Sequence, residues 1–521
     1  MLKPLAVLLV ISIFAVSCVN CSNILVILSF PPPSHHLWNE KIVNKLAERG
    51  HNITVLSVHL SKTTPKNVHY IHLEKTASHI WQKAVFTLND ITLEKSYRLI
   101  KIGYSYMQLI CEGSLLSDGF KTLQNYPEHF KFDLIIHDIN GGPCLLGLLH
   151  KFGYPPLVGI SAYKYTPELA DIIGGHYFPG YIPFVSMPFD TNMTFLQRLE
   201  NICFTIVDYI YRHYVHIPQR DRLAASFYNY TLPSFQSLEQ RTTVALLNIH
   251  SATDFNIPLG PNVIAVGGLE VDEPKPLPKD LEQFISTSKS GAILICFGTA
   301  VDSSMFPDEK QQMILDVVRK FPSYNFIWKF GKDISHDNIS NLLIRKWLPQ
   351  NDILAHPNIK LFISHGGGLS SNEATWHGVP LVVVPFYLDQ IQNSRKSVLA
   401  GVGKTLNVQT MTAKDLEEAI RSVLEDSSYR DRAKTRSENF RDRPQSPMDT
   451  AIWWIEYVLR HPNPTHLRPP TLDLSLLQIS SCDVILFLIL VLAIIIWIIY
   501  LLVKKLFKTL AFKGKLKKKN Q

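Results

Sequence analysis

Between Phe362 and Gln390 the chain reads Phe-Ile-Ser-His-Gly-Gly-Gly-Leu-Ser-Ser-Asn-Glu373, six spacer residues, then Pro380-Leu-Val-Val-Val-Pro-Phe-Tyr-Leu-Asp389-Gln390. An apolar strand predicted over Leu361 to Ser364 runs into His365, Gly366, Gly367 and Gly368, and a helix is predicted to begin near Leu369. Backbone amides at such a strand-to-helix turn converge on an anion, and the helix dipole favours negative charge there. A second apolar strand, Leu381 to Val384, ends at Pro385, so Asp389 and Gln390 fall just past the carboxyl end of a neighbouring strand, where open α/β sheets place ligands. Phosphate and sugar hydroxyls would therefore share one crevice. A base is available elsewhere: Ser34-His35-His36 follows a predicted strand, Asn23 to Phe30, and precedes a predicted helix, Leu37 to Arg49. An imidazole at a strand's carboxyl end titrates in the range suited to a general base.

The run from Phe362 to Gln390 resembles the signature of the UDP-glycosyltransferases, the family of UDP-glucuronosyl- and UDP-glucosyltransferases, and the likeness extends over nearly the whole chain. It implies two doubly wound, Rossmann-like α/β domains facing across a cleft (GT-B type), with the acceptor bound by the N-terminal half and the UDP-sugar by the C-terminal half. By the same resemblance Trp347 and Gln350 of Trp-Leu-Pro-Gln hold uracil and ribose, Glu373 the ribose hydroxyls, His365 and Ser370 the diphosphate with the amides around Gly367, and Asp389 and Gln390 the sugar. An indole offers a base a flat apolar face. Thr299, in Cys-Phe-Gly-Thr after another strand, is a further diphosphate candidate. His35 lies fifteen residues before the Gly of Arg49-Gly50, the family spacing of the catalytic histidine, with His36 as runner-up. Asp138 ends the predicted strand Phe132 to His137, and the resemblance implies that it hydrogen-bonds the base, fixing its tautomer and stabilising the imidazolium. Asp133, at the start of that strand, belongs at the far edge. One position departs from the pattern: Leu369 stands where many members have asparagine, which resembles the invertebrate branch and leaves backbone amides to compensate.

The expected reaction is inverting transfer of glucose or glucuronate from the UDP-sugar to a hydroxyl of a small lipophilic acceptor. UDP-sugar is then a co-substrate, and no cofactor is expected. The chain has no Asp-x-Asp clamp, so no essential metal is expected either. A UDP-sugar-binding membrane protein without catalysis is the alternative. His-Gly-Gly-Gly also imitates the oxyanion motif of esterases, but no Gly-x-Ser-x-Gly elbow accompanies it. Gly401-Val-Gly-Lys-Thr405 ends like a P-loop, yet Val398 stands where the first glycine belongs.

At 521 residues the chain has room for two or three domains. Lys3 followed by the apolar stretch Leu5 to Val16 and small residues reads as a signal peptide over 1–22. The Cys18-x-x-Cys21 pair falls inside it and carries no redox or zinc meaning. Residues 483–503 form a predicted transmembrane helix, since Val484 to Val503 holds no charge and suffices for a bilayer core of roughly 30 Å. The tail 504–521 carries eight lysines and no acid, equal to the whole chain's formal charge of +8. The excess is thus juxtamembrane and places the tail in the cytosol, which argues against nucleic acid as a partner. Lys518 and Lys519 resemble a dilysine retrieval signal, giving a single-pass type I protein of the endoplasmic reticulum membrane with lumenal catalytic domains; a homo-oligomer is compatible with this. Asn52, Asn192, Asn229 and Asn338 open glycosylation sequons, and Cys111, Cys144, Cys203 and Cys296 are either paired or buried thiols.

The βαβ grammar opens at Asn23, is repeated by the strand Phe132 to His137 and a helix over Leu145 to His150, and restarts at Gly291 with strand Ala292 to Phe297, helix Asp308 to Lys320 and strand Asn325 to Lys329. The acceptor domain is set at 23–268, a charged, proline-rich linker at 269–279, the donor domain at 280–443, and returning helices with a juxtamembrane segment at 444–482. The aromatic stripe from Phe195 to Val215 is expected on a helix. Core or domain packing is its commoner meaning, and an acceptor pocket or membrane-leaning face the functional one.

Overall fold

Strands that are apolar without interruption must be covered on both faces, which selects parallel sheets wrapped by helices. A computed structural model describes residues 21–84, 97–299, 306–332, 339–462 and 464–519; most of the predicted signal peptide and the sequon asparagine Asn338 lie outside these described residues. The first sheet comprises β1 (Asn23–Leu28), β2 (Asn52–Ser57), β3 (Val68–His72), β4 (Leu134–Asp138), β5 (Leu157–Ser161), β6 (Thr242–Leu247) and β7 (Val263–Ala265), in the order β3-β2-β1-β4-β5-β6-β7. The second comprises β8 (Ala292–Cys296), β9 (Asn325–Lys329), β10 (Leu342–Arg345), β11 (Ile359–Ser364), β12 (Leu381–Val383) and β13 (Gly403–Thr405), in the order β10-β9-β8-β11-β12-β13. All pairings are parallel. Each sheet therefore reverses its winding once, between β1 and β4 and between β8 and β11, and a doubly wound sheet opens its ligand crevice at that switch point.

The helices that matter for the site are α1 (Pro33–Glu48), α2 (Arg98–Leu116), α3 (Phe195–Tyr211), α4 (Gln350–Ala355), α5 (Gly368–Trp376), α6 (Asp389–Leu399), α7 (Pro447–Arg460) and α8 (Cys482–Lys519). Side chains alternate across β1: Ile24, Val26 and Leu28 pack with Trp38 and Ile42 of α1, whereas Leu25 and Ile27 pack with Leu115 of α2. The returning helix α7 buries Ala451, Ile452 and Ile455 in the first of these layers, and Arg49 grips Glu456 with Nε and Nη2 at 2.8 and 3.0 Å. Cys111 of α2 is disulfide-bonded to Cys144, whereas Cys296, which is buried, and Cys203, which is exposed, form no disulfide.

Three local expectations are corrected. Helix α1 begins at Pro33, because proline lacks the N–H that a first helical residue leaves unpaired anyway, so His35 and His36 lie inside its first turn rather than before it. The helix expected over Leu145 to His150 is a 3-10 turn, Cys144–Gly147, followed by one α-turn, Leu148–Lys151. The stripe on α3 is inside out. Leu196, Leu199, Ile206 and Ile210 are exposed, whereas Asn201 and Asp208 are buried. The inward groups are satisfied: Asn201 accepts from the Phe184 amide at 2.7 Å and donates to the Ile182 carbonyl at 2.8 Å, and Asp208 accepts from the Tyr104 hydroxyl at 2.9 Å. Among the aromatic residues only Phe204 points into the protein fully.

Both sheets and α7 fall in one compact unit ending at Arg468; the second unit, Pro469–Gln521, contains α8. Over Cys482–Ala511 this helix is long and apolar enough to cross a membrane.

Candidate active site

The carboxyl ends of both sheets open onto one cavity of about 1880 Å³, lined from the first sheet by His35, Asn140, Tyr163 and Lys164 and from the second by Thr299, Trp347, His365 and Asp389. Each group arrives on the turn that follows a strand. His35 stands after β1, in the first turn of α1, with its ring edge-on to Phe30 at 4.7 Å between centroids. Burial pushes this imidazole down to about 4, so it is neutral at physiological pH and holds a free lone pair. His36 turns away, its Nδ1 3.3 Å from the Ser57 hydroxyl and its ring against His59, in keeping with a packing role.

Asp138 is the last residue of β4 and is buried. Its Oδ2 accepts from Asn39 Nδ2 at 2.8 Å, and its Oδ1 accepts from the backbone and side-chain nitrogens of Asn140, both at 3.0 Å. Burial raises it to about 7 against the pull of these donors. The expected bond to His35 is not formed in this structure: His35 Nδ1 is buried without a partner, and Asn39, one turn along the same helix, occupies the carboxylate instead. Asp133 sits at the opposite edge of the sheet, accepting from the Asn23 amide at 2.8 Å.

The glycine turn after β11 is shaped around His365. A Cβ on Gly298 would lie 2.6 Å from His365 Nε2, and Gly298 has φ +88°, so both sterics and backbone demand glycine there. Burial, helped by the nearby Lys329 ammonium, pushes His365 down to about 4, which leaves it a neutral donor to an anion. Lys329, the last residue of β9, donates to the Gly298 carbonyl at 2.7 Å and stands 5.6 Å from the centre of the Trp347 ring. Trp347 is 64% exposed, an indole held out at the cavity wall. Thr299 and Gly367 line the same wall. Helix α5 then starts at Gly368, presenting its unpaired amides.

Gln350, Ser370 and Glu373 meet as a triad: Gln350 Nε2 donates to Ser370 Oγ at 3.1 Å and to Glu373 Oε2 at 2.5 Å. Burial raises Glu373 to about 7. At the start of α6, Asp389 accepts from Asn393 at 2.9 Å, and burial raises it while Lys164 opposes the shift. Lys164, from the first sheet's side, donates to Asn393 and pairs with Asp254 at 3.8 Å. Gln390 spends its Oε1 on the Phe386 and Tyr387 amides, at 2.9 and 3.4 Å, which closes the turn around the strained Leu388 (φ +49°). The first-sheet and second-sheet candidates thus share one cavity, apart from Asp138, which lies behind it. Asn52, Asn192 and Asn229 are exposed, and Lys518 and Lys519 end α8.

Lys329, Lys164 and Asn39 went unrecognised in the sequence. Lys329 ends a predicted strand and Lys164 lies just past the end of β5, which was the available signal; Asn39 carries none.

The family model for UDP-glucuronosyl and UDP-glucosyl transferases matches residues 25–519. The chain is similar to UDP-glucosyltransferase 2 of Dactylopius coccus, 32% identical over 92% of this chain and 93% of that one. It is similar as well to UDP-glucuronosyltransferase 2B15 of Homo sapiens, at 30% identity over 96% of both chains. Among solved structures, the glycotransferase of kitacinnamycin superposes with TM-score 0.58 at 14% identity, covering 84% of this chain and all of that one. A UDP-glucosyltransferase from Polygonum tinctorium gives 0.56 at 14% identity over 84% of this chain and 99% of that one, a likeness of fold alone. With the family matched from end to end and the GT-B arrangement found in the solved neighbours, this chain belongs to the UDP-glucuronosyl and UDP-glucosyl transferases and is a UDP-glycosyltransferase.

Proposed function

We propose that the protein transfers glucose or glucuronate from UDP to a hydroxyl group of a small lipophilic acceptor with inversion at the anomeric carbon. The observation that carries this reading is the single cavity into which His35 and the His365-to-Ser370 turn both open, each from the switch point of its own sheet. His35 takes the acceptor proton as the acceptor oxygen bonds to C1 of the sugar. The C1–O bond to the β-phosphate breaks from the opposite side, and its electron pair leaves with UDP. Charge growing on the diphosphate is met by the amides at the start of α5, His365, Ser370 and Thr299, which need no rearrangement to receive it. Asp138 supports the imidazolium from behind the cavity wall. Trp347 stacks on uracil, Gln350 and Glu373 hold ribose, and Asp389 with Gln390 orients the sugar.

Apolar residues packed around the first sheet, including Leu99, Ile100 and Met107 of α2, Phe184, and Phe204 of α3, line the cavity, which supports a lipophilic acceptor. The signal peptide, exposed sequons, apolar α8 and lysine tail support a type I protein of the endoplasmic reticulum with its catalytic unit in the lumen. Incubating the protein in membranes with UDP-glucose or UDP-glucuronate and a panel of phenols tests the reaction. UDP release, a β-glycoside by NMR and loss of turnover in His35→Ala are expected; an α-linked product would overturn the inverting mechanism. The second reading, donor binding without turnover, has one observation on its side: His35 and Asp138 are not bonded. Full UDP binding with no product from either donor would establish it.

A further inference from the structure

Glu270 opens the charged stretch Glu270-Val-Asp-Glu-Pro between the two sheets, at the end of the turn that follows β7. Its side chain is only 7% exposed, yet it belongs to the cavity wall together with Gln350, Asn372 and Glu373. Neither carboxylate oxygen has a hydrogen-bond partner. The Asn372 amide donates to Asn248 Oδ1 at 3.0 Å and lies close enough to the Glu270 carboxyl to stabilise its charged form. Buried carboxyl oxygens are rarely left unpaired, because withholding water from them is costly. Glu270 is part of the wall of the cavity that a ligand would fill.

The backbone around Glu270 is fixed from both sides. Lys41 of α1 donates to the Glu270 carbonyl and pairs with Asp272 at 2.7 Å. Asn351 of α4 donates to the Asp272 carbonyl at 3.1 Å, and the Lys275 amide donates to Asp352 at 3.0 Å. The main chain is thus pinned, while the buried carboxyl group forms no hydrogen bond of good geometry. A partner for it must be a neutral donor. Two neighbouring carboxyl groups, Glu270 and Glu373, disfavour a phosphate, and burial holds Glu270 up at about 7 against the pull of its own backbone amide and of Asn372. A vicinal diol supplies two O–H donors to two such carboxyl groups.

We propose that Glu270 is a donor-binding residue whose carboxyl group takes a hydrogen bond from a ribose hydroxyl of the UDP-sugar, beside Glu373, tying the interdomain segment to the occupied nucleotide site. This rests on the cleft being the UDP-sugar site. The consequence reaches α1, because the segment that Glu270 anchors is held by Lys41, on the helix whose first turn carries His35.

The test is calorimetric titration of the full-length protein in lipid nanodiscs with UDP, 2′-deoxy-UDP and 3′-deoxy-UDP, for the wild type and for Glu270→Gln. The variant is expected to bind UDP about tenfold more weakly, with the loss shrinking to under threefold for the analogue lacking the partner hydroxyl. Equal losses for all three ligands, or no loss for UDP, would overturn the assignment. Glu270→Asp serves if the glutamine variant does not fold, with the same pattern required. A wild type that fails to bind UDP would instead remove the reading of the cleft, so the two failures are distinct.

Discussion

Replacing Asp138 by asparagine separates the chemistry from the fold. The amide oxygen can keep both donors from Asn140, at 3.0 Å each, while its NH2 faces Asn39. Asn39 can turn its amide to accept, since its Oδ1 is buried and has no partner now. Burial already pushes Asp138 toward its neutral form, at about 7, so a neutral isostere should change stability by no more than about 1 kcal/mol. In a chain of this length that moves Tm by only about 2–4 °C. The chemical loss is larger. Burial that takes His35 from its ordinary value to about 4 makes protonating it harder by about 3 kcal/mol, a cost that Asp138 offsets in the proposed mechanism as the imidazolium forms. Without that charge kcat should fall about a hundredfold. UDP affinity should stay within twofold, because the proposed mechanism places neither residue against the nucleotide. UDP-release kinetics, calorimetry with UDP and thermal melting, run alongside His35→Ala, give the three numbers. A kcat within fivefold of wild type would refute the claim that Asp138 supports the imidazolium, and a matching fall in UDP affinity would refute the separation of base from nucleotide site.

Four further outcomes are expected. The pH profile of kcat/KM should lose its acid limb near pH 4: the folded pKa of His35 is lowered, so the reactive neutral imidazole is present above that value and lost only as pH falls through it. A limb near 6.5 would mean that Asp138 engages His35 in the free enzyme. Gly298→Ala would put a Cβ 2.6 Å from His365 Nε2 at φ +88° and should weaken UDP binding at least tenfold by calorimetry; unchanged affinity would dismiss the shaped turn. Trp347→Ala should raise the Kd of UDP about tenfold while leaving Tm unchanged, because an indole 64% exposed contributes little to the core. Asp389→Ala should raise KM for the UDP-sugar more than Kd for UDP, and parallel changes would remove it from the sugar subsite.

Much of this was legible because the strands are uninterrupted apolar runs and the functional residues follow their carboxyl ends. The glycine turn after β11, Asp138 at the tip of β4 and Lys329 at the tip of β9 all obey that rule. Residues on helix interiors did not announce themselves. Asn39 looks like any polar residue on α1, and only the fold brings it to a carboxylate ninety-nine positions away. Glu270 hides in a stretch whose charge and prolines signal a linker, a composition that says nothing about which side chain turns inward. The stripe on α3 misled for a different reason: periodicity locates an apolar face but does not say which face is covered, and here Asn201 and Asp208 take the inside.

The bridge between Cys111 and Cys144 ties α2 to the turn just downstream of Asp138. Closing a loop across a separation of 33 positions restricts the unfolded chain by about 4 kcal/mol in the chain-entropy account. A copy synthesised in a reducing bacterial cytosol would forgo that restraint beneath the carboxylate, so recombinant preparations should be made through an oxidising secretory route and checked for thiol content before any kinetic constant is compared.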